Sequence, residues 1–379
     1  VQYLIHELTT TTFPSDKALS NNSFLYVVSF ADAKEIVAKK IVITANIFFI
    51  FTYLSMFFNF KSYKLFYNHY TKHMQYLTKK KFKNPLTTAD GSKRAFIQAE
   101  KISTLWFNTG TLCNIECHNC YIESSPKNDR LVYLTFEEVK KFIDEAINKN
   151  FQTKEIGFTG GEPFMNKDIL KMISYALENN LKVLVLSNAM KPMQNKAEDL
   201  LKLKNPNLTI RVSIDHYEKT KHEQIRGKET YDVMLKGLNW LNSNNFKFAL
   251  ATRLLWNQSE DHLRKNFQVF IKKNNLNLDA FSKQQLVTFV EMDEKVDTPE
   301  ITTDCWGILN KDPNDIMCSW SRMVVKKKGS QIPKVIACTL LPYEDEFDLG
   351  DSLTNSLQKI YLNHKHCSKF CVLGGSSCS

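Results

Sequence analysis

From residue 101 onward the chain alternates six times between short apolar segments and longer segments with a helical apolar period. Lys101–Thr109, Glu155–Thr159, Lys182–Leu186, Leu208–Ile214, Phe246–Leu255 and Leu286–Glu291 read as strands. Lys182–Leu186 is almost continuously apolar, as expected of a strand covered on both faces. Thr135 opens the first helix, and Glu138 three residues later completes a capping box. Phe136, Val139, Phe142, Ile143 and Ala146 fall on one face of that helix. Further helices are expected from about Lys167 and near 229–242 and 259–273. Successive strand–helix units imply a parallel sheet with right-handed crossovers. Six units are too few to close an eight-stranded barrel. The expected fold is therefore α/β, a partial (β/α)6 TIM-like barrel followed by a small cysteine-rich C-terminal domain.

In parallel β/α barrels the reactive groups sit at the C-terminal ends of strands. The unusual residues of this chain fall there. The first strand runs into Cys113, Cys117 and Cys120, spaced C-x3-C-x2-C. Three thiolates so close together converge on one metal centre and leave a coordination position open. Zinc with His118 as fourth ligand is the competing assignment, awkward because His118 lies between two of the cysteines. The second strand ends at Gly160-Gly161-Glu162-Pro163, the third at Ser187-Asn188, and the fourth at Ser213 and Asp215. The fifth carries Arg253. Read blandly, Gly160-Gly161 is a turn, Asp215 a helix cap, Arg226 a solvated charge, and His216 and His222 structural or exposed.

Taken together, Cys113, Cys117, Cys120 and the adjoining Tyr121, followed about forty residues later by Gly160-Gly161-Glu162-Pro163, resemble the radical S-adenosylmethionine (radical SAM) superfamily. Ser213-Ile214-Asp215 and the segment from His222 to Gly227 resemble further stretches of its members. The likeness covers roughly 101–379. It implies a [4Fe–4S] cluster on the three cysteines, whose fourth iron chelates S-adenosylmethionine. Cleavage of the sulfonium then yields a 5′-deoxyadenosyl radical that abstracts hydrogen from substrate. By the same resemblance, Glu162 and the backbone of Gly160 and Gly161 bind the methionyl amine, and Tyr121 lies by the cluster and adenine. Ser187, Asn188, Ser213 and Asp215 contact ribose or carboxylate, and Arg226 or Arg253 pairs the carboxylate. A flavodoxin- or ferredoxin-type electron donor is implied, with an unidentified peptide or small molecule as substrate. A non-catalytic iron–sulfur or zinc-binding scaffold is the alternative.

The remaining six of nine cysteines lie at Cys305, Cys318, Cys338, Cys367, Cys371 and Cys378. An odd count at short spacings, with no secretory pattern at the start, favours metal over disulfides and a reducing, cytoplasmic compartment. Cys318 and Cys338 flank an expected hairpin of 323–325 and 335–337, and Cys367, Cys371 and Cys378 follow with a Gly-Gly between them. This tail resembles the SPASM and twitch extensions of the superfamily. A full SPASM pattern has seven cysteines, so the resemblance implies one auxiliary [4Fe–4S] cluster, with Cys305 a spare candidate. A zinc-binding tail remains open, because cysteine alone does not choose between the metals.

The net charge of +10 does not point to nucleic acid. Residues 1–81 hold ten Lys, no Arg and four acidic groups, +6 in all, which leaves only +4 for the rest. No basic stripe with interleaved aromatics is present. Residues 41–60 carry no charge, and twenty helical residues span about 30 Å. Two readings stand for them: a single-pass membrane anchor, or a segment outside the working protein, which would then begin near Met74. The expected domains are an extension at 1–94, a core at 95–300 and an auxiliary-cluster domain at 301–379.

Overall fold

The computed structural model describes residues 80–290 and 296–374; the apolar run 41–60, Met74, Gly375 and Cys378 lie outside them. A short strand β1 (Phe96–Gln98) precedes the main sheet. That sheet holds β2 (Thr104–Asn108), β3 (Glu155–Thr159), β4 (Lys182–Ser187), β5 (Leu208–Ser213), β6 (Lys247–Leu254), β7 (Leu286–Val290), β8 (Ser321–Val325) and β9 (Lys334–Ile336). Its order is β7-β6-β5-β4-β3-β2-β8-β9, with every neighbouring pair parallel except β8 with β9. Among the described strands the sheet does not close, and β7 and β9 are its edges. Strand β1 pairs apart from it, antiparallel to β10 (Lys359–Tyr361).

All six expected strands, the expected hairpin and the four expected helices form; the helices Lys191–Gln194, Ala197–Lys202 and Lys219–Arg226 were not among those expected. The sheet is wider than six because β8 pairs in register with β2, Thr104 opposite Ser321 and Phe107 opposite Val324. Among the described residues no crossover helix of the repeating kind precedes β8, so strand–helix alternation alone does not count it into the sheet.

Helix α1 (Phe136–Asn148) is opened by Thr135, whose Oγ1 accepts from Glu138 N at 3.3 Å while Glu138 Oε2 accepts from Thr135 N at 2.9 Å. It buries Val139, Phe142, Ile143 and Ala146 against Leu105, Phe107, Ile156 and Phe158. Val139, Phe142 and Ile143 each contribute about 1.5–3 kcal/mol on burial. Because successive strand residues face opposite ways, these outward apolar positions leave Trp106, Arg211, Ser213, Ala251 and Arg253 for the concave side. Helices α2 (Ile169–Glu178), α3 (Lys191–Gln194), α4 (Ala197–Lys202), α5 (Lys219–Arg226), α6 (Thr230–Ser243) and α7 (Glu260–Lys273) follow the later strands. Among the described residues no helix is long and apolar enough to cross a membrane.

Candidate active site

A cleft with about 1240 Å³ of empty space, its open mouth included, lies on the concave side. Cys113, Cys117 and Cys120 all line it, together with Tyr121, Gly160, Gly161, Ser187 and Asn188. Ser213, Asp215, Arg226 and Arg253 complete the expected set along its wall. Cys113 is buried, and its backbone N–H donates to Ser125 O at 3.1 Å. Burial pushes its thiol up to about 12, with the charges of Glu162, Cys117 and Cys120 adding to the rise. The Cys117 thiol is also raised by burial, with Arg226 opposing. A metal bound by these thiols would have to displace their protons.

The two glycines are needed for a reason other than ligand access. Gly161 N donates to Gly110 O at 2.8 Å, and Glu162 N to Leu112 O at 3.2 Å. A Cβ added at Gly161 would lie 2.1 Å from Leu112 O, and one at Gly160 2.5 Å from Gly110 O. Gly160 also sits at φ +130°, in the region that favours glycine. The loop after β3 thus packs backbone to backbone against the residues just ahead of Cys113.

Glu162 is 1% exposed and stands behind the residues that face the cleft. Its carboxylate accepts from Ser187 Oγ at 2.9 Å, Asn188 N at 2.8 Å and Phe164 N at 3.2 Å. Burial raises it to about 7, against the lowering effect of those hydrogen bonds. Pro163 begins the short helical turn that follows. Asn188, fixed from behind, directs Nδ2 to Asn114 Oδ1 at 2.9 Å, within 3.9 Å of Cys113 Sγ.

On the other side Asp215 takes both guanidiniums. Its Oδ2 accepts from Arg226 Nε at 2.7 Å and Arg253 Nη2 at 3.1 Å, and its Oδ1 accepts from Arg253 Nε at 2.8 Å. Burial alone would raise this carboxyl, but the two arginines hold it well below the usual carboxylate range. Arg253 Nη1 also donates to His118 O at 3.3 Å and Asn119 O at 3.1 Å, and His118 N donates to Ile225 O at 2.7 Å. The cysteine loop is thereby tied to the ends of β6 and α5. Asp215 is a buried ion-pair partner rather than a helix cap, and Arg226 is not a solvated charge. His216 and His222 are buried and absent from the cleft wall, and burial lowers them to about 4 and about 3.

Sequence reasoning passed over Trp106 and Arg211, which also line the cleft, as do Phe289 and Phe370. An arginine inside the apolar strand Leu208–Ser213 was the readable signal for one of them. Trp106 Nε1 and Ser124 Oγ are buried polar atoms on this wall with no hydrogen-bond partner among the described residues.

A second cavity, with about 490 Å³ of empty space, is lined by four cysteines: Cys318, Cys338, Cys367 and Cys371. Cys367 and Cys371 come from one π-helical stretch, Cys367–Leu373. Burial pushes the Cys318 thiol up to about 11 and that of Cys367 well above its ordinary value. Cys305 lies elsewhere, its Sγ accepting from Thr302 N at 3.4 Å. Thr339, Leu340 and Phe370 line both cavities. None of the eight described cysteines is in a disulfide. Among the described residues no three His, Cys, Asp or Glu groups are set to grip a single metal ion. By donor chemistry the two all-sulfur sets, each lining a cavity, fit an iron–sulfur cluster, and thiolates suit zinc as well.

Residues 107–267 match the family model described as the radical SAM superfamily. The chain is 32% identical over 267 residues to the antilisterial bacteriocin subtilosin biosynthesis protein AlbA of Bacillus subtilis (strain 168), covering 66% of this chain and 57% of that protein. It thus spans little more than half the length of that relative. It is 24% identical over 314 residues to a GTP 3',8-cyclase of Campylobacter jejuni, covering 74% of this chain and 95% of the cyclase. Among solved structures, Streptococcus suis SuiB bound to precursor peptide SuiA shares the fold with a TM-score of 0.50 at 13% identity, over 69% of this chain and 66% of that one. The chain carries a radical SAM superfamily domain at residues 107–267.

Proposed function

We propose that this protein is a radical SAM enzyme whose first cluster is held by Cys113, Cys117 and Cys120. The observation that carries the reading is one cleft wall bearing all three thiols beside Ser187, Asn188, Asp215 and Arg253. When bound there, a [4Fe–4S] cluster supplies the electron that cleaves S-adenosylmethionine to methionine and a 5′-deoxyadenosyl radical, which takes hydrogen from substrate. The chain's own residues position and shield. The Gly160–Pro163 corner receives the methionyl amine, with Glu162 holding Ser187 and Asn188 from behind. Ser213 and the Asp215–Arg226–Arg253 group line the ribose and carboxylate side, and Tyr121 covers the adenine. Asp215 already neutralises part of the charge of its arginines, so one guanidinium edge turned to the ligand suffices for a carboxylate.

Cys318, Cys338, Cys367 and Cys371 are proposed to hold an auxiliary [4Fe–4S] cluster of the SPASM or twitch kind, with Cys378 outside the described residues. Core and auxiliary domains divide near residue 300, and 1–94 is an extension. The electron donor is of the flavodoxin or ferredoxin type. The substrate is a peptide or a small molecule: AlbA is named for bacteriocin biosynthesis and the cyclase for GTP. The catalytic part is assigned to the cytoplasm.

The test is anaerobic reconstitution with iron and sulfide, followed by dithionite and S-adenosylmethionine. Release of 5′-deoxyadenosine is expected from the wild type. Replacing Cys113, Cys117 and Cys120 by Ala should abolish it and remove about four irons per chain. Unchanged turnover or iron content in that variant refutes the assignment, and no release from a fully loaded wild type identifies a scaffold instead.

A further inference from the structure

Two arginines are completely buried, and they are treated differently. Arg94, 0% exposed, has a carboxylate: its Nη2 lies 2.6 Å from Glu300 Oε1. Arg322 on β8 is also 0% exposed, but among the described residues no acidic group forms an ion pair with it. Its guanidinium donates only to backbone carbonyls. Nε and Nη2 reach Ser356 O at 3.0 and 2.9 Å, and Nη1 reaches Cys318 O and Ser321 O, each at 2.6 Å. Carbonyl dipoles satisfy the donors but do not cancel the charge. Arginine stays protonated, and burying a cation without a compensating charge is unfavourable.

The missing negative charge has an evident source. Arg322 is tied to the backbone of Cys318, and the Cys318 thiol shares its cavity with Cys338, Cys367 and Cys371. Thiols are neutral until a metal displaces their protons. Four thiolates around a divalent ion or a cubane leave a net negative centre, and such a centre is the counterpart the guanidinium lacks. We propose that Arg322 is the built-in counter-ion of the thiolate-held centre in the second cavity, a positioning residue that favours the metal-loaded state and raises the reduction potential of an iron–sulfur cluster there. The inference rests on the auxiliary-centre reading above. The sign follows from charge: a fixed cation favours the more negative, reduced form.

The experiment uses the full chain carrying Cys113→Ala, Cys117→Ala and Cys120→Ala as parent, so that only the tail cysteines bind metal. Arg322→Lys and Arg322→Gln are made in it, loaded anaerobically with iron and sulfide, and compared by EPR-monitored redox titration and by thermal unfolding before and after loading. The potential should stay near the parent's in Arg322→Lys and move to more negative values in Arg322→Gln. The rise in Tm on loading should be smaller in Arg322→Gln than in the parent. Equal potential shifts in Lys and Gln variants overturn the proposal, as does an equal Tm loss in apo and loaded forms, which marks a plain carbonyl tie. If Arg322→Gln does not fold, Arg322→Lys decides: it keeps the loading-induced Tm rise if charge matters and loses it if only the fork does. If the parent takes up zinc but no iron, the Tm arm is read with zinc. A parent that binds neither metal refutes the auxiliary centre, and the counter-ion role falls with it.

Discussion

Neutralising Asp215 is the sharpest single perturbation of the candidate site. Asp215→Asn keeps the shape but removes the charge that two guanidiniums share. The Asp215 side chain is 2% exposed, and those of Arg226 and Arg253 are 15% and 18% exposed. Breaking a buried pair from one side costs about 3–5 kcal/mol, because the partner charge is left unmatched. Here the arginines keep an edge to water, and the Asn oxygen still accepts one bond, so the low end applies, about 3 kcal/mol. The assay is denaturant unfolding of the cluster-free chain at pH 7. The pH dependence fixes the mechanism. The folded carboxyl titrates well below the ordinary value of about 3.9, so its support is complete above about pH 4 and is lost as the pH falls further. The gap between wild type and variant should be flat from about pH 8 to 5 and narrow below about 4. Asp215 also helps raise the Cys117 thiol, so Cys117 should alkylate faster in the variant. A gap under about 1 kcal/mol, the usual cost of an unremarkable substitution, would refute the argument.

Two further outcomes follow from the corner opposite. Glu162 titrates at about 7 in the folded chain, above the ordinary Glu value of about 4.3, so its support is full below about pH 4 and is lost as the pH rises toward 7; Glu162→Gln should remove that slope, about 1.4 kcal/mol for each pH unit between the two values, and parallel stability curves for the two proteins would contradict it. Gly161→Ala drives a methyl into Leu112 O, a backbone atom that has no side chain to swing aside; it should cost about 1–3 kcal/mol and, by displacing the residue before Cys113, reduce iron retention, whereas full iron content would show that the loop yields.

What was legible in the sequence is what local physics decides. The Thr135 cap needs only Glu138 three residues away, and the strand ends follow from apolar alternation and the turn residues after it. The site's partnerships were not legible, because they close over long intervals. Arg226 and Arg253 are 11 and 38 residues from Asp215, and either could equally have faced a ligand. Glu162 was expected to bind the methionyl amine; the three donors of its carboxylate, from Ser187, Asn188 and Phe164, were not foreseen. Gly160 and Gly161 make a close backbone approach to the chain itself, at Gly110 and Leu112, which adjacency in sequence does not disclose. Trp106 and Arg211 face inward only because Leu105, Phe107, Ile210 and Val212 face the helices, a choice visible once the layers exist.

The tail does more than carry cysteines. Strand β2 leads directly into the triplet, and β3 covers only one of its edges. The other edge is covered by β8, from the cysteine-rich segment. The contact continues past the strand: Val132 N donates to Lys326 O at 2.8 Å, and Lys328 N to Arg130 O at 2.8 Å. Tyr343 then pins the cysteine loop itself, its hydroxyl donating to Ile122 O at 2.7 Å while the Arg130 guanidinium lies 3.7 Å over its ring. An exposed strand edge is a liability, and a ligand loop needs a rigid frame to present three thiols at once. The same segment supplies both, so the geometry of Cys113, Cys117 and Cys120 depends on residues more than 200 positions later. It also brings its own four-cysteine cavity to a shared wall of Thr339, Leu340 and Phe370. A disturbance at the four-cysteine cavity therefore has a short mechanical path to the cleft: Leu340 N donates to Cys338 Sγ at 3.4 Å on one side, and Leu340 also lines the cleft on the other.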